Sequence, residues 1–261
     1  MTRPDVVFLD VGDTLMRAAP SWASVYLSAL SQHGITPSAQ ELGVALKEAV
    51  QAARWSPGER FETSAEASYA RIVAIDQRVL AGLGHPDLPD EVFRSIHAAF
   101  RERAAWHVYP DVEPSLERLR EEGIRLAVIS NWLWEAPELF HEVGLAAHFE
   151  QLIVSARLGY DKPHPEIFRH ALRLMEVAPD RAIHVGDSYP ADVLGARAAG
   201  ISPVLIDRSV SDFAGVIAAR PPDDDVPVIT DLYGLLDLLG MGETARAGSR
   251  RSALRTDTRV S

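Results

Sequence analysis

Residues 6–14 read VVFLDVGDT, and this stretch decides the fold of the 261-residue chain. Its first four residues are apolar and mostly β-branched or aromatic, which is typical of a strand buried on both faces of a parallel sheet. Asp10 follows the apolar run at once, and Gly12 and Asp13 continue the chain into a turn. Ligands bind open parallel sheets at the carboxyl ends of the strands. The stretch therefore predicts a buried first strand that carries Asp10 to the ligand-binding edge.

Strands and helices alternate downstream of residue 108. The apolar runs and the turn residues between them predict strands at 124–129, 152–154, 182–185, 203–206 and 226–229. Helical spacing, with proline near the start and glycine near the end, predicts helices at 114–122, 137–143, 165–175, 191–199 and 232–239. This alternation indicates an α/β fold, in which a parallel sheet is covered by helices on both faces.

The segment between the first strand and residue 108 has a different character. It is rich in alanine, has apolar residues at helical spacing and is interrupted by Gly/Pro turns, so we expect about four helices there. Residues 1–16 and 108–240 are then predicted to form one α/β core domain, with 17–107 as an inserted helical domain. Residues 241–261 are poor in apolar side chains, and this composition predicts a disordered tail.

Composition excludes several classes of function. The chain has no cysteine, so disulfides, thiolate nucleophiles and cysteine-ligated metals are ruled out. Its formal net charge is −11 and it has only two lysines, Lys47 and Lys162, which argues against a nucleic-acid partner. No apolar run approaches the length of a membrane span. We expect a cytoplasmic protein with neither a nucleic-acid nor a membrane partner; its oligomeric state is left open.

Polar clusters follow several of the predicted strands. They are residues 10–14, Ser130 with Asn131, and 186–188, and Lys162 precedes a helix after a further strand. A single aspartate after a strand is more often part of a turn or a helix cap. However, carboxyl ends of parallel strands share one edge of the sheet, so these clusters are expected to meet. Four of them together indicate a functional site.

These clusters, in this order, resemble the motifs of the haloacid dehalogenase-like hydrolase superfamily. The motifs read FLDVGDTL at 8–15, AVISN at 127–131, GYDKPHPEIF at 159–168 and HVGDS at 184–188, continuing to Asp192 and GARAAG at 195–200. The resemblance extends from residue 5 to about residue 239 and points to the branch with a helical cap inserted after the first strand. It implies a Rossmann-like α/β core with helices on both faces of a parallel sheet, and a cap domain at 17–107.

The resemblance also implies roles for individual residues. Asp10 would be the nucleophile that forms a covalent aspartyl intermediate, and the Lys162 ammonium would offset negative charge on Asp10 and on the substrate. Thr14 and Ser130 would donate hydrogen bonds to the transferred group, and Asn131 would join Thr14, Ser130 and Lys162 in substrate binding. Taken alone, either hydroxyl would more often be a helix cap.

A magnesium ion is the cofactor that the resemblance implies. Asp10, the main-chain carbonyl of Gly12, Asp187 and Asp192 would hold it, since Mg²⁺ takes oxygen ligands and keeps several waters. Asp192 would either hold one of those waters or orient Lys162. Without the resemblance, Asp192 can also be interpreted as an acidic residue that favours the first turn of a helix.

Gly12 departs from the pattern of the family's phosphatases. They have an aspartate at this position that protonates the leaving oxygen, and losing a general acid typically lowers the rate by about 10²–10⁴-fold. Asp13 is adjacent and is a possible substitute. The acidic pair Asp187 and Asp192 favours a Mg²⁺-dependent phosphatase that acts on a small phosphorylated metabolite. Two alternatives stay open: a 2-haloacid dehalogenase, whose halide leaves without a proton, and a weakly catalytic member that binds a ligand or a protein.

Overall fold

A parallel sheet forms the centre of the protein in a computed structural model that describes residues 3–52, 59–208 and 220–242. The strands are β1 (Val6–Leu9), β2 (Met16–Ala18), β3 (Trp106–Val108), β4 (Arg125–Ser130), β5 (Gln151–Val154), β6 (Ala182–Gly186), β7 (Ser202–Ile206) and β8 (Val228–Ile229). Six of them form one sheet in the order β5-β4-β1-β6-β7-β8, and every pairing in it is parallel. The predicted α/β class and the predicted burial of the first strand are confirmed.

Ten α-helices surround the strands. They are α1 (Trp22–Ser31), α2 (Ala39–Ala52), α3 (Ala65–Gly82), α4 (Asp90–Arg101), α5 (Val112–Glu121), α6 (Ala136–Glu142), α7 (Ser155–Leu158), α8 (Pro165–Leu174), α9 (Gly195–Ala198) and α10 (Leu232–Leu238), counted over the residues that the structure describes. Four of them, α1 to α4, lie in the predicted helical insert. None of the described helices is long and apolar enough to cross a membrane.

Alternating side chains of β1 explain its uninterrupted apolar sequence. Val7 and Leu9 belong to the core on one face of the sheet, together with residues of α5 and α10. Val6 and Phe8 belong to the core on the other face, together with residues of α8. Neighbouring residues of a strand point to opposite faces, so a strand covered on both sides needs apolar residues throughout. All four side chains are fully buried.

Short elements differ from the predictions. β2 and β3 pair antiparallel, with Arg17 opposite His107, where the chain enters and leaves the insert. Three-residue strands are too short for a periodic pattern to show, which is why we did not predict them.

The predicted helix at 191–199 differs as well: it is a π-helical turn, Tyr189–Leu194, followed by α9. The division into domains stays a prediction, and the predicted tail, apart from residues 241 and 242, lies outside the described residues.

Candidate active site

Three adjacent strands and one loop bring the predicted site residues to one edge of the sheet. Asp10 follows β1, Ser130 ends β4 and Asp187 follows β6, and β1 pairs with both of the other strands. Lys162 arrives from the loop between α7 and α8. The motifs are far apart in sequence, and the parallel sheet places them side by side because its strands all end at the same edge.

Lys162 lies between two carboxylates. Its Nζ is 2.6 Å from Asp10 Oδ1 and 2.6 Å from Asp192 Oδ1, and the residue is 3% exposed. Burial by itself would lower the pKa of the Lys162 ammonium, but the two carboxylates outweigh it and keep this pKa above its usual value. Burial raises the pKa of Asp10, and the Lys162 charge opposes that rise. The charged ammonium therefore favours the ionised form of Asp10.

Asp192 has both carboxylate oxygens engaged. Oδ1 accepts from Lys162 and from His184 Nε2 at 2.8 Å, and Oδ2 accepts from the main-chain N–H of Ser188 at 3.0 Å. Although burial acts to raise the pKa of Asp192, the charges of Lys162 and His184 and their hydrogen bonds hold it below the usual range. These contacts support the second of the two expected roles, in which Asp192 orients Lys162.

His184 is a further residue of the site, and the sequence motifs assign no role to it. It is fully buried in β6, and its Nε2–H reaches the same carboxylate oxygen as the Lys162 ammonium. His184 and Gly186 lie on one face of β6 because side chains alternate along a strand, and Asp192 lies over that face. A histidine inside an otherwise apolar strand was the available signal, since a buried polar side chain needs a partner.

We expect Gly186→Ala to destabilise the protein by about 3 kcal/mol, because a Cβ there would overlap the Asp192 carboxylate in a closely packed site. Urea unfolding followed by circular dichroism measures the free energy of unfolding. Gly43→Ala is the matched control: apart from its chain neighbours and the backbone of its own helix, no heavy atom of the described residues lies within 4 Å of the added Cβ. A helical Gly→Ala change stabilises by about 0.5–1 kcal/mol. Equal unfolding midpoints for Gly186→Ala and the wild type would contradict the expectation.

Three acidic side chains form a cluster at this edge. Oxygen atoms of Asp10, Asp187 and Asp192 lie within 4.8 Å of one another. Burial, and then the neighbouring charges of Asp10 and Asp192, raise the pKa of Asp187 well above its usual value. Carboxylates that repel one another in a buried site favour a bound cation, and oxygen donors suit Mg²⁺. The residues therefore fit a magnesium ion.

An aromatic ring lies beside Gly12. A Cβ built at Gly12 would be 3.4 Å from Cζ3 of Trp132. Apart from the two residues that adjoin Gly12, no other heavy atom of the described chain lies within 4 Å of that Cβ. The Trp132 ring packs on Trp106, which begins β3, at a centroid distance of 4.9 Å. Among the described residues that do not adjoin Gly12, no carboxylate lies within 4 Å of the point where an aspartate side chain would begin. Asp13 itself is buried, with a left-handed backbone at φ 50°.

The predicted hydroxyl donors are both buried. Thr14 is fully buried and its Oγ1 has no hydrogen-bond partner among the described residues, while Ser130 is 2% exposed. The Thr14 carbonyl accepts from Arg208 at 2.6 Å, and Arg208 also bonds Asp111 at 2.7 Å. Arg208 follows the strand β7, and no sequence motif marked it. Arg208 therefore connects the loop after Asp10 to the segment that follows β7.

Asn131 contacts Lys162 directly. Its Oδ1 accepts from the Lys162 main-chain N–H at 2.7 Å, and its Nδ2 donates to the Lys162 carbonyl at 2.9 Å. Asn131 was expected to bind substrate. The structure instead connects its amide to the loop that carries the lysine.

The helical insert also touches the loops of the site. Arg71 of α3 pairs with Asp161 at 2.5 Å, and the Phe61 N–H donates to the Gly159 carbonyl at 3.0 Å. From the core side, the Trp134 N–H donates to Ser68 Oγ at 3.1 Å. These contacts lie on the segments just before Lys162 and just after Asn131. The insert therefore lies against the edge of the sheet at which the candidate catalytic residues meet.

Known proteins match this chain over most of its length. The profile of a family described as haloacid dehalogenase-like hydrolase matches residues 4–200. Haloacid dehalogenase-like hydrolase domain-containing protein 3 of Bos taurus is 30% identical over 239 residues, which cover 91% of this chain and 95% of that protein. Phosphoserine phosphatase of Thermus thermophilus is 39% identical over 126 residues, covering 47% and 49% of the two chains. The crystal structure of a HAD phosphatase from Thermococcus onnurineus matches with TM-score 0.62 at 24% identity, covering 90% and 98% of the two chains.

Proposed function

Because this chain belongs to the haloacid dehalogenase-like hydrolase family, we propose that it is a Mg²⁺-dependent phosphatase acting on a small phosphorylated metabolite. The observation that carries the proposal is the Lys162 ammonium at 2.6 Å from Asp10, at the edge where Asp187 adds a second carboxylate. The match to the phosphoserine phosphatase over about half of each chain supports the same class of reaction.

The proposed reaction has two displacements at phosphorus. A carboxylate oxygen of Asp10 attacks the phosphorus atom, and the bond from phosphorus to the leaving oxygen breaks. Water then attacks the phosphorus atom of the aspartyl phosphate, which releases inorganic phosphate and returns Asp10 as a carboxylate. Lys162 favours the ionised form of Asp10 and offsets the charge of the phosphoryl group. The buried Thr14 hydroxyl, which has no hydrogen-bond partner among the described residues, is available as a donor to that group.

Asp10 and Asp187, with the main-chain carbonyl of Gly12, are the proposed ligands of Mg²⁺. When bound, the ion would neutralise the clustered carboxylates and polarise the phosphoryl oxygens. Asp192 contributes through Lys162 instead, since both its oxygens already accept hydrogen bonds within the protein. This assignment divides the acidic cluster into two ligands and one orienting residue.

Metal removal is expected to stop phosphate release, and added Mg²⁺ should restore it. Mg²⁺ should also raise the melting temperature of the wild type, because binding to the folded state relieves the repulsion that raises the pKa of Asp187. Asp187→Asn should abolish this thermal shift. Asp180→Asn is the matched control at the opposite end of β6 and should keep the shift. Full activity of the EDTA-treated, dialysed protein would contradict the proposed cofactor.

A panel of phosphate esters with Mg²⁺, assayed beside 2-haloacids without metal, tests the function. Dehalogenation is the second candidate because Gly12 has no side chain that could donate a proton, and a halide departs without one. Phosphate release that exceeds the rate of an Asp10→Asn variant supports the proposal. Metal-independent halide release without ester turnover would favour the dehalogenase, and inactivity in both assays would favour the ligand- or protein-binding role.

A further inference from the structure

Asn131 is bonded to one residue by both ends of its side-chain amide. The Lys162 N–H requires an oxygen acceptor and the Lys162 carbonyl requires a donor, so the amide fits in only one orientation. The two residues are 31 positions apart: Asn131 follows β4 directly, and Lys162 lies in the loop before α8. The side chain thus connects that loop to the end of a central strand.

This connection fixes the starting point of a flexible side chain. Lysine has a four-carbon stem whose rotamer freedom is costly to restrict. The Lys162 ammonium nevertheless contacts Asp10 and Asp192 at the same time, at 2.6 Å each. Asn131 bonds both main-chain polar groups of Lys162, and β4 pairs with β1. Asn131 therefore holds the backbone of Lys162 at a set place relative to Asp10.

We propose that Asn131 is a positioning residue, which acts on the reaction by fixing the main chain of Lys162. The inference rests on the proposed function for its kinetic consequence, while its structural consequence is independent of any substrate. It replaces the substrate-binding role expected for Asn131, because the amide oxygen and one amide hydrogen are engaged on Lys162.

Amine labelling tests the positioning directly, because the chain has only two lysines. Lys162 is 3% exposed, and the exposed Lys47 of α2 serves as the internal reference. Reductive methylation followed by peptide mass spectrometry gives the rate at each amine. Asn131→Ala should raise the rate at Lys162 by about tenfold, because two hydrogen bonds are lost, and leave the rate at Lys47 unchanged.

Asn131→Asp is the second variant, since it keeps the shape and the acceptor oxygen but removes the donor. It should also raise the labelling rate at Lys162. Far-UV circular dichroism and the Lys47 rate report whether each variant is folded. An unchanged Lys162 rate in both folded variants would overturn the proposal.

Kinetics separate positioning from substrate binding. Asn131→Ala should lower kcat by about tenfold and change KM by less than about threefold. In a Lys162→Met background the same substitution should cause no further loss beyond about twofold, because a residue that acts through Lys162 has nothing left to position. A raised KM with unchanged kcat would assign Asn131 to substrate binding instead. If no ester is hydrolysed at all, the proposed function fails, and the labelling rates still decide the role of Asn131.

Discussion

Asp10→Asn is expected to lower kcat for phosphate-ester hydrolysis by about 10⁴-fold or more, the scale on which removing a nucleophile acts. The amide nitrogen and oxygen of asparagine are poor nucleophiles, and no aspartyl phosphate forms without the carboxylate. The substitution also removes the negative partner that Lys162 contacts at 2.6 Å. Both effects concern the reacting group itself, so binding of the substrate to other residues will not compensate for them.

Steady-state kinetics and acid-quench trapping of the phosphoenzyme measure this effect. Asp5→Asn is the matched control, because Asp5 precedes the opposite end of β1 and its exposed carboxylate pairs only with Arg181 in the described structure. We expect its kcat to stay within about twofold of the wild type, as an exposed ion pair contributes little. An Asp10→Asn protein that retains a tenth of the wild-type kcat would show that Asp10 is not the nucleophile.

The second large effect is a strong dependence of rate on the leaving group. Gly12 has no side chain that could donate a proton. A Cβ built there would have a Trp132 ring atom within 4 Å and no other atom of the described chain, apart from the adjoining residues. Esters of acidic phenols leave as stable anions, whereas alkyl esters need a proton on the leaving oxygen. We therefore expect kcat/KM for 4-nitrophenyl phosphate to exceed that for a simple alkyl phosphate by about 10²–10⁴-fold.

Gly12→Asp should reduce that difference. Its Cβ would meet Trp132 at 3.4 Å, an ordinary to slightly close contact, and Gly12 does not need the left-handed conformation that favours glycine. We expect alkyl phosphates to gain about 10²-fold in kcat/KM, with 4-nitrophenyl phosphate changed little. Gly12→Asn controls for size without adding an acid. Equal wild-type kcat/KM values for the alkyl ester and for 4-nitrophenyl phosphate would refute the expectation. If Asp13→Asn then slowed the alkyl ester alone, Asp13 would be identified as the acid.

The strands of the sheet were predictable because each buried strand carries its own apolar pattern. Residues 6–9 and 182–185 are continuous apolar or nearly apolar runs that end in aspartate or glycine, and the structure places strands there. Parallel pairing then determines which loops meet, so the proximity of Asp10, Lys162 and Asp187 also followed from the order of motifs. The local apolar pattern predicts where the strands lie, and the topology of the sheet predicts which of the loops meet.

The remaining site contacts depend on three-dimensional packing between distant segments. Nothing in the local sequence of Arg208 indicates that its guanidinium bonds the Thr14 carbonyl. Likewise, the presence of Asn131 after β4 does not reveal whether its amide binds a substrate or the main chain of Lys162. Trp132 lies beside Gly12 only because β3 and the loop after β4 bring aromatic rings together. No periodicity or motif encodes such contacts, because they form only when distant segments pack together in the folded chain.

The ribbon formed by β2 and β3 makes the helical insert a detachable unit in topological terms. Arg17 and His107 lie opposite each other, so the chain departs from the core and returns to it at neighbouring positions. The parallel sheet needs no residue of the intervening segment to complete its strand order. We therefore expect that a different helical module, or a short hairpin, can be grafted between these two strands while the loop that carries Asp10 keeps its attachment to β1.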